Sequence, residues 1–106
     1  MTIGIIVAMT KELNLLLPLM ENPEVQNTGG TEFHLGKISG HNVALMECGI
    51  GKVNAAIGTV TLIDTFHPDL VINTGVAAGA GDDVAVMDSI VATNVAHHDF
   101  WCIGEE

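Results

Sequence analysis

The sequence predicts an α/β domain built on a mainly parallel or mixed sheet. Continuous apolar, β-branched runs alternate with helix-like segments, the pattern of strands covered on both faces. A short polar turn joins two further strand-like runs, which inserts one antiparallel hairpin. Glycine-containing turns follow three of the strand candidates.

The elements follow in order. "TIGIIVA" (2–8) is an apolar strand that begins at once. In "TKELNLLLPLM", Leu13, Leu16, Leu17 and Met20 fall at helical spacing, and Thr10 fits the N-cap position. Pro18 should end or kink this helix, because proline lacks the amide donor and crowds the preceding turn. "ENPEVQNTGG" (21–30) is expected to be a loop. "TEFHLGKIS" and "NVALMEC" flank the turn "SGHN" and predict the hairpin. A helix is expected from about Lys52 to Phe66, with Val53, Ala56, Ile57, Val60 and Ile63 as its apolar stripe and His67-Pro68 as its stop. "DLVINTG" (69–75) is a second buried strand, "VAAGAGDDVAVMD" (76–88) a small-residue loop, and "SIVATNVA" (89–96) a third strand. "HHDFWCIGEE" then trails off with no helix to cover that last strand. The chain is therefore expected to be the N-terminal part of a larger domain, or to be completed by a partner.

Length and composition bound the function. The 106 residues allow one domain, and a domain of this size buries roughly two-thirds of its unfolded surface. Thirteen acidic residues face three basic ones, the lysines at 11, 37 and 52, and there is no arginine. Nucleic-acid binding needs many cations to displace counterions from phosphates, and anionic membranes make a similar demand, so neither is an expected partner. No apolar run approaches the ~20 residues of a membrane span, and the start lacks the pattern of a signal peptide. Cys48 and Cys102 match no metal spacing and are too few for a disulfide framework; two free thiols in a reducing cytoplasm are expected.

"ECGIGKVNAAIG" (47–58) raises the question of a phosphate loop. A P-loop needs glycine where Met46 stands and a hydroxyl where Val53 stands, and a dinucleotide fingerprint needs glycine where Asn54 stands. Neither motif is present. Gly49 and Gly51 are compatible with a tight strand-to-helix turn and nothing more. Yet ligands of open α/β sheets lie beyond the carboxyl ends of strands, and three small-residue loops are expected at such ends: "AMTKE", "CGIGK" and "TGVAAGAG". Glu12, the acid of the first loop, is read equally as a solvated residue favoured by a helix N-terminus or as a functional carboxylate.

Taken together, "IGIIVAMTKELNLL", "GIGKVNAAIGT", "PDLVINTGVAAG" and "HHD" resemble the N-terminal half of the 5'-methylthioadenosine/S-adenosylhomocysteine nucleosidases, members of the nucleoside phosphorylase superfamily. The likeness runs nearly end to end and keeps motif order. It implies a three-layer α/β/α sandwich around a mixed sheet, with residues 1–106 as the N-terminal portion of a single domain. The implied activity is hydrolysis of the N-glycosidic bond of 5'-thio-substituted adenosines to release adenine. No metal or organic cofactor is implied. The implied partners are a small purine nucleoside and a second copy of the chain, in a homodimer. The small-residue face around Ala55, Ala56 and Thr59 is compatible with that dimer and equally with packing on the chain's own sheet.

By the resemblance, Glu12 is the glutamate that polarises the attacking water. Met9 and Ile50 line the pocket around the ribose and 5'-alkylthio group, and Val76 and Ala77 lie beside the ribose and the water. Val76 stands where many members have serine, and Ala78 where glycine is frequent, while Gly79 keeps the family glycine. His98 and Asp99 match a His-Asp pair read as ordering a loop; His97 stands where an aromatic residue is common. A metal on His97, His98 and Asp99 is disfavoured, because adjacent residues of an extended segment point to opposite faces. His34, His41 and His67 are isolated and expected at the surface or in turns. Phosphorylases of the superfamily grip phosphate with arginine, so a chain with none favours water as nucleophile. The resemblance also places the acid that protonates adenine in a further segment, so the 106 residues alone are expected to be inactive. A non-catalytic nucleoside-binding or dimerisation half-domain, and a nucleosidase for 5'-deoxyadenosine or futalosine-type nucleosides, are the alternatives.

Overall fold

A computed structural model describes residues 1–99. They fall into two compact units, Met1–Val76 and a second that begins at Ala77. The first holds all the regular structure: β1 (Thr2–Val7), α1 (Thr10–Leu16), a 3-10 turn (Leu17–Leu19), β2 (Glu21–Thr28), β3 (Thr31–Ile38), β4 (His41–Glu47), α2 (Lys52–Phe66) and β5 (Leu70–Asn73).

The five strands form one mixed sheet in the order β2-β3-β4-β1-β5. β1 pairs in parallel with β4, from Thr2 opposite Asn42 to Val7 opposite Glu47. On its other edge it pairs in parallel with β5, from Ile3 opposite Leu70 to Ile6 opposite Asn73. At the foot of the sheet Asp69 clamps Thr2, its carboxylate accepting the Thr2 N–H at 2.8 Å and its own N–H donating to the Thr2 carbonyl at 2.8 Å. β2, β3 and β4 are antiparallel neighbours.

Alternation along the strands sends side chains to two cores. Val7, Val43 and Leu45 pack with Leu13 of α1 and Met20 on one face. Ile6, Phe33, Ala44 and Met46 pack with Leu62 of α2 on the other. Phe66, at the end of α2, meets Phe33 edge to face with ring centres 4.8 Å apart. Helix, sheet and helix are thus the three layers the family resemblance implied.

Pro18 acts as expected: α1 ends at Leu16 and the chain tightens into the 3-10 turn that contains the proline. His67, in a left-handed conformation ahead of Pro68, ends α2. Four expectations need correction. The N-cap of α1 is Met9, not Thr10; the Thr10 hydroxyl turns instead to a neighbouring strand. The segment 21–30 is mostly strand, β2, rather than loop. Its polar residues and Pro23 hid it, but an edge strand tolerates both, since its outer edge needs no donor. A register shift between Glu21 and Glu24 absorbs the proline.

The third correction concerns α2. The expected stripe faces outward, with Val53 73%, Ile57 61%, Val60 58% and Ile63 43% exposed, whereas Leu62 is fully buried. The face on the sheet is made of small residues around Gly58, where a Cβ would lie 2.8 Å from the Cys48 Cβ. The helix lies too close to the sheet there for larger side chains. Apolar residues therefore occupy both sides of this helix, and periodicity alone selects the wrong one.

The fourth is the strand expected at 89–96. Among the described residues of the second unit there is no helix or strand, and Ile90, Val91 and Val95 are exposed. A strand exists only as a member of a ladder, and none of the ladders includes this run. Residues 100–106, including Cys102, lie outside the described residues.

The two sides of α2 can be told apart by mutation. Leu62→Ala, at a fully buried position, should lower unfolding free energy by about 2–5 kcal/mol. Val60→Ala, on the outward side, should change it by no more than about 0.5 kcal/mol. Urea denaturation of dilute protein checks this, and equal effects would reject the assignment of faces.

Candidate active site

The site is assembled at the carboxyl ends of β1, β4 and β5. β1 ends at Val7, and the chain turns through Ala8 and Met9 into α1. This places Glu12 in the first turn of α1, with its side chain directed back over the turn. One carboxylate oxygen, Oε1, accepts the N–H of Ala8 and the N–H of Met9, each at 3.0 Å. The other, Oε2, accepts the N–H of Val76 at 3.1 Å. Val76 arrives there because Thr74 N–H donates to the Ile6 carbonyl at 3.2 Å, carrying the pairing of β5 with β1 past the strand end. The Asn73 side-chain amide donates to the same carbonyl at 3.3 Å.

Three backbone N–H groups therefore grip one half-buried carboxylate. Hydrogen bonds to an ionised acceptor are stronger than neutral ones, so the carboxylate is held and aimed. A carboxylate offers roughly four acceptor sites; with three taken, one remains for a water or a substrate hydroxyl. Gly75 makes the grip possible. A Cβ there would lie 2.5 Å from Glu12 Oε2, closer than atoms approach.

The neighbouring loop is tied to the same end of the sheet. Cys48 N–H donates to the Val7 carbonyl at 2.8 Å. The chain then passes Gly49 and Gly51, with φ of 92° and 102°, and Ile50 between them is 73% exposed. Asn54, from the first turn of α2, donates its side-chain amide to the Ile50 carbonyl at 2.8 Å and fixes the loop. Burial holds the Cys48 thiol above its ordinary pKa, and the nearby Glu47 and Glu12 carboxylates push in the same direction. The Cys48 Sγ–H donates to the Gly49 carbonyl at 3.0 Å.

Glu12, Met9 and Val76 are thus brought together, the last two through their main-chain N–H groups. Ile50 lies on the adjoining loop, held there by Asn54. The Val76 side chain is 79% exposed, and Ala77 opens the second unit. A cavity of about 390 Å³ lies elsewhere, and one of about 400 Å³ adjoins the Ile50 loop, lined by Glu47, Cys48 and Asn54; neither is lined by Glu12, Met9, Ile50 or Val76. His98 and Asp99 are neighbours at 3.9 Å. Among the described residues no group of three or more His, Cys, Asp or Glu is placed to hold a metal ion. No helix among them is long and apolar enough to cross a membrane.

Sequence reasoning missed two contributors. Gly75 was visible only as the end of a strand, and Asn54 only as a misfit to a dinucleotide motif. Asparagine four residues after Ile50, at a helix start, was the one legible signal, because such a side chain readily bonds nearby backbone.

A family model described as the phosphorylase superfamily matches residues 2–103. The chain belongs to the phosphorylase superfamily. Within it, the chain is 48% identical over 99 residues to the 5'-methylthioadenosine/S-adenosylhomocysteine nucleosidase of Maridesulfovibrio salexigens, an alignment of 93% of this chain and 43% of that protein. The nucleosidase of that name from S. pneumoniae, solved with a transition-state inhibitor, superposes with a TM-score of 0.78 at 43% identity, covering 81% of this chain and 37% of that one. Futalosine hydrolase of Helicobacter pylori superposes with a TM-score of 0.65 at 32% identity, covering 71% and 33%. This superfamily member spans less than half the length of the relatives it matches.

Gly75→Ala tests the geometry. It should push the Glu12 carboxylate off the Val76 N–H, read as an upfield shift and faster hydrogen exchange of the Val76 amide in the NMR spectrum. An unmoved Val76 amide would show that the contact is not made in solution.

Proposed function

We propose that residues 1–106 are the N-terminal portion of a single nucleosidase domain. The domain hydrolyses the N-glycosidic bond of 5'-thio-substituted adenosines and releases adenine. The observation that carries this reading is the Glu12 carboxylate, gripped by the N–H groups of Ala8, Met9 and Val76 with one acceptor site left open. The names of the most similar relatives support the reaction and the substrate class.

The chemistry suits the geometry. As the glycosidic bond stretches, the ribose takes on oxocarbenium character, and a fixed negative charge beside it stabilises that charge. A water hydrogen-bonded to Glu12 attacks the anomeric carbon, and the carboxylate takes its proton. The carbon–nitrogen bond breaks, its electron pair leaves with adenine, and adenine takes a proton from an acid in the remainder of the domain. Met9 and Ile50 bear on the ribose and the 5'-alkylthio group, and Val76 and Ala77 lie beside the ribose and the water. Val76 offers no hydroxyl, so on its side only its N–H, acting through Glu12, orients the water. With no arginine in the chain to hold phosphate, water is the favoured nucleophile. The chain works in the cytoplasm.

We also assign a homodimer. The outward row of α2, Val53, Ile57, Val60 and Ile63, is an aliphatic surface of the sort that marks an interaction site, and a second copy is its occupant. A nucleosidase for futalosine-type nucleosides is the second reading, favoured by the Helicobacter pylori likeness.

Three measurements decide these points. Adenine release from methylthioadenosine by the 106-residue chain should fall ~10²–10⁴ below that of the Maridesulfovibrio salexigens relative, the usual cost of a missing general acid; comparable turnover defeats the assignment of the acid. In a chimaera joining the chain to that relative's C-terminal half, Glu12→Gln should cost about the same factor and leave inhibitor binding intact. Unchanged turnover sinks the role of Glu12, and faster turnover of futalosine selects the second reading. For the dimer, sedimentation of the chain should show a two-fold mass that Ile57→Glu abolishes; a monomer at ~100 μM rejects it, since a stable interface would have a Kd well below that concentration.

A further inference from the structure

In this first turn of α1, Glu12 has two tasks. Its carboxylate ties down the backbone at Ala8 and Met9, and, on the function proposed above, it exchanges a proton with water. Each protonation of a base weakens its grip on the backbone that carries it, so a further side-chain tie on this turn bears on its aim. The structure holds a second clamp. The Thr10 hydroxyl, two residues before Glu12, donates to the Glu47 carboxylate, 3.0 Å from one oxygen and 3.1 Å from the other. Glu47 is the last residue of β4 and stands opposite Val7, the last residue of β1. The clamp therefore runs from the end of one strand to the helical turn that follows its neighbour, without involving Glu12.

The geometry points to Glu47 as a positioning residue: acting through Thr10, it holds the first turn of α1 so that Glu12 keeps its aim at the Val76 N–H and at the water beside it. Glu47 itself touches neither substrate nor the reacting atoms. This rests on the nucleosidase reading for its consequence, but not for its geometry.

Two arms test it. In the 106-residue chain, Thr10→Val and Glu47→Leu should each speed hydrogen exchange at the amides of Ala8, Met9 and Val76 by about 2- to 12-fold, the worth of one hydrogen bond. The double variant should be no worse than either single one, because both remove the same contact. Thr10→Ser and Glu47→Gln, which keep a donor and an acceptor, should behave as the parent. In the chimaera, the disruptive pair should lower kcat by a similar factor with KM unchanged. Additive effects of the two substitutions, or a Val76 amide indifferent to both, would overturn the inference. The exchange arm needs no turnover. An inactive chimaera with the expected exchange pattern would therefore count against the nucleosidase reading and leave the clamp standing.

Discussion

Strand β1 is hydrogen-bonded along both edges and covered on both faces, and the site is laid out from its carboxyl end. β4 and β5 flank it in parallel, so all three strands end on the same side and deliver their loops together. Antiparallel neighbours could not do this, since alternate strands would end at opposite sides of the sheet. The parallel core of this mixed sheet is thus the constraint from which the rest follows. Main-chain bonds at Ile6 and Val7 carry that order beyond the strands, to Thr74 on one side and Cys48 on the other.

The two faces of β1 are treated differently. Toward α1 the core is aliphatic, and that helix starts near enough to the strand end for Glu12 to reach back over the turn. Toward α2 the contact is close and built on small residues, which leaves the larger aliphatic side chains of that helix outside. One helix carries the Glu12 carboxylate, and the other carries an aliphatic surface.

Much of the fold was legible in the sequence because strong local signals agreed. The apolar β-branched runs at 2–8 and 69–75 had no competing reading as strands, although β5 is an edge strand with Leu70 and Ile72 exposed rather than the buried strand expected, and Pro18 and His67-Pro68 stopped helices for reasons internal to the chain. The failures share a cause. β2 is defined by its pairing with β3, the buried side of α2 by its distance from the sheet, and the state of 89–96 by whether a ladder receives it. None of these is a local property. The site followed the same rule. Glu12, Met9, Ile50, Val76 and Ala77 were named through family likeness, whereas Gly75, Asn54 and Glu47 act through contacts that only the folded chain reveals. Of the named residues, Ala77 was not placed with the others.

The contact between Gly75 and Glu12 bears on how such a site can be recognised. Val76 contributes its main-chain N–H, which every residue but proline possesses. The identity of its side chain therefore carries little information about the grip on Glu12. Gly75 contributes no group at all, yet any side chain there would occupy the space of the carboxylate oxygen. In a diverged relative, the dependable trace of this carboxylate is the blank position after β5 rather than the more chemically suggestive residue that follows it. A search keyed to functional groups would pass over a position where a side chain would displace the carboxylate.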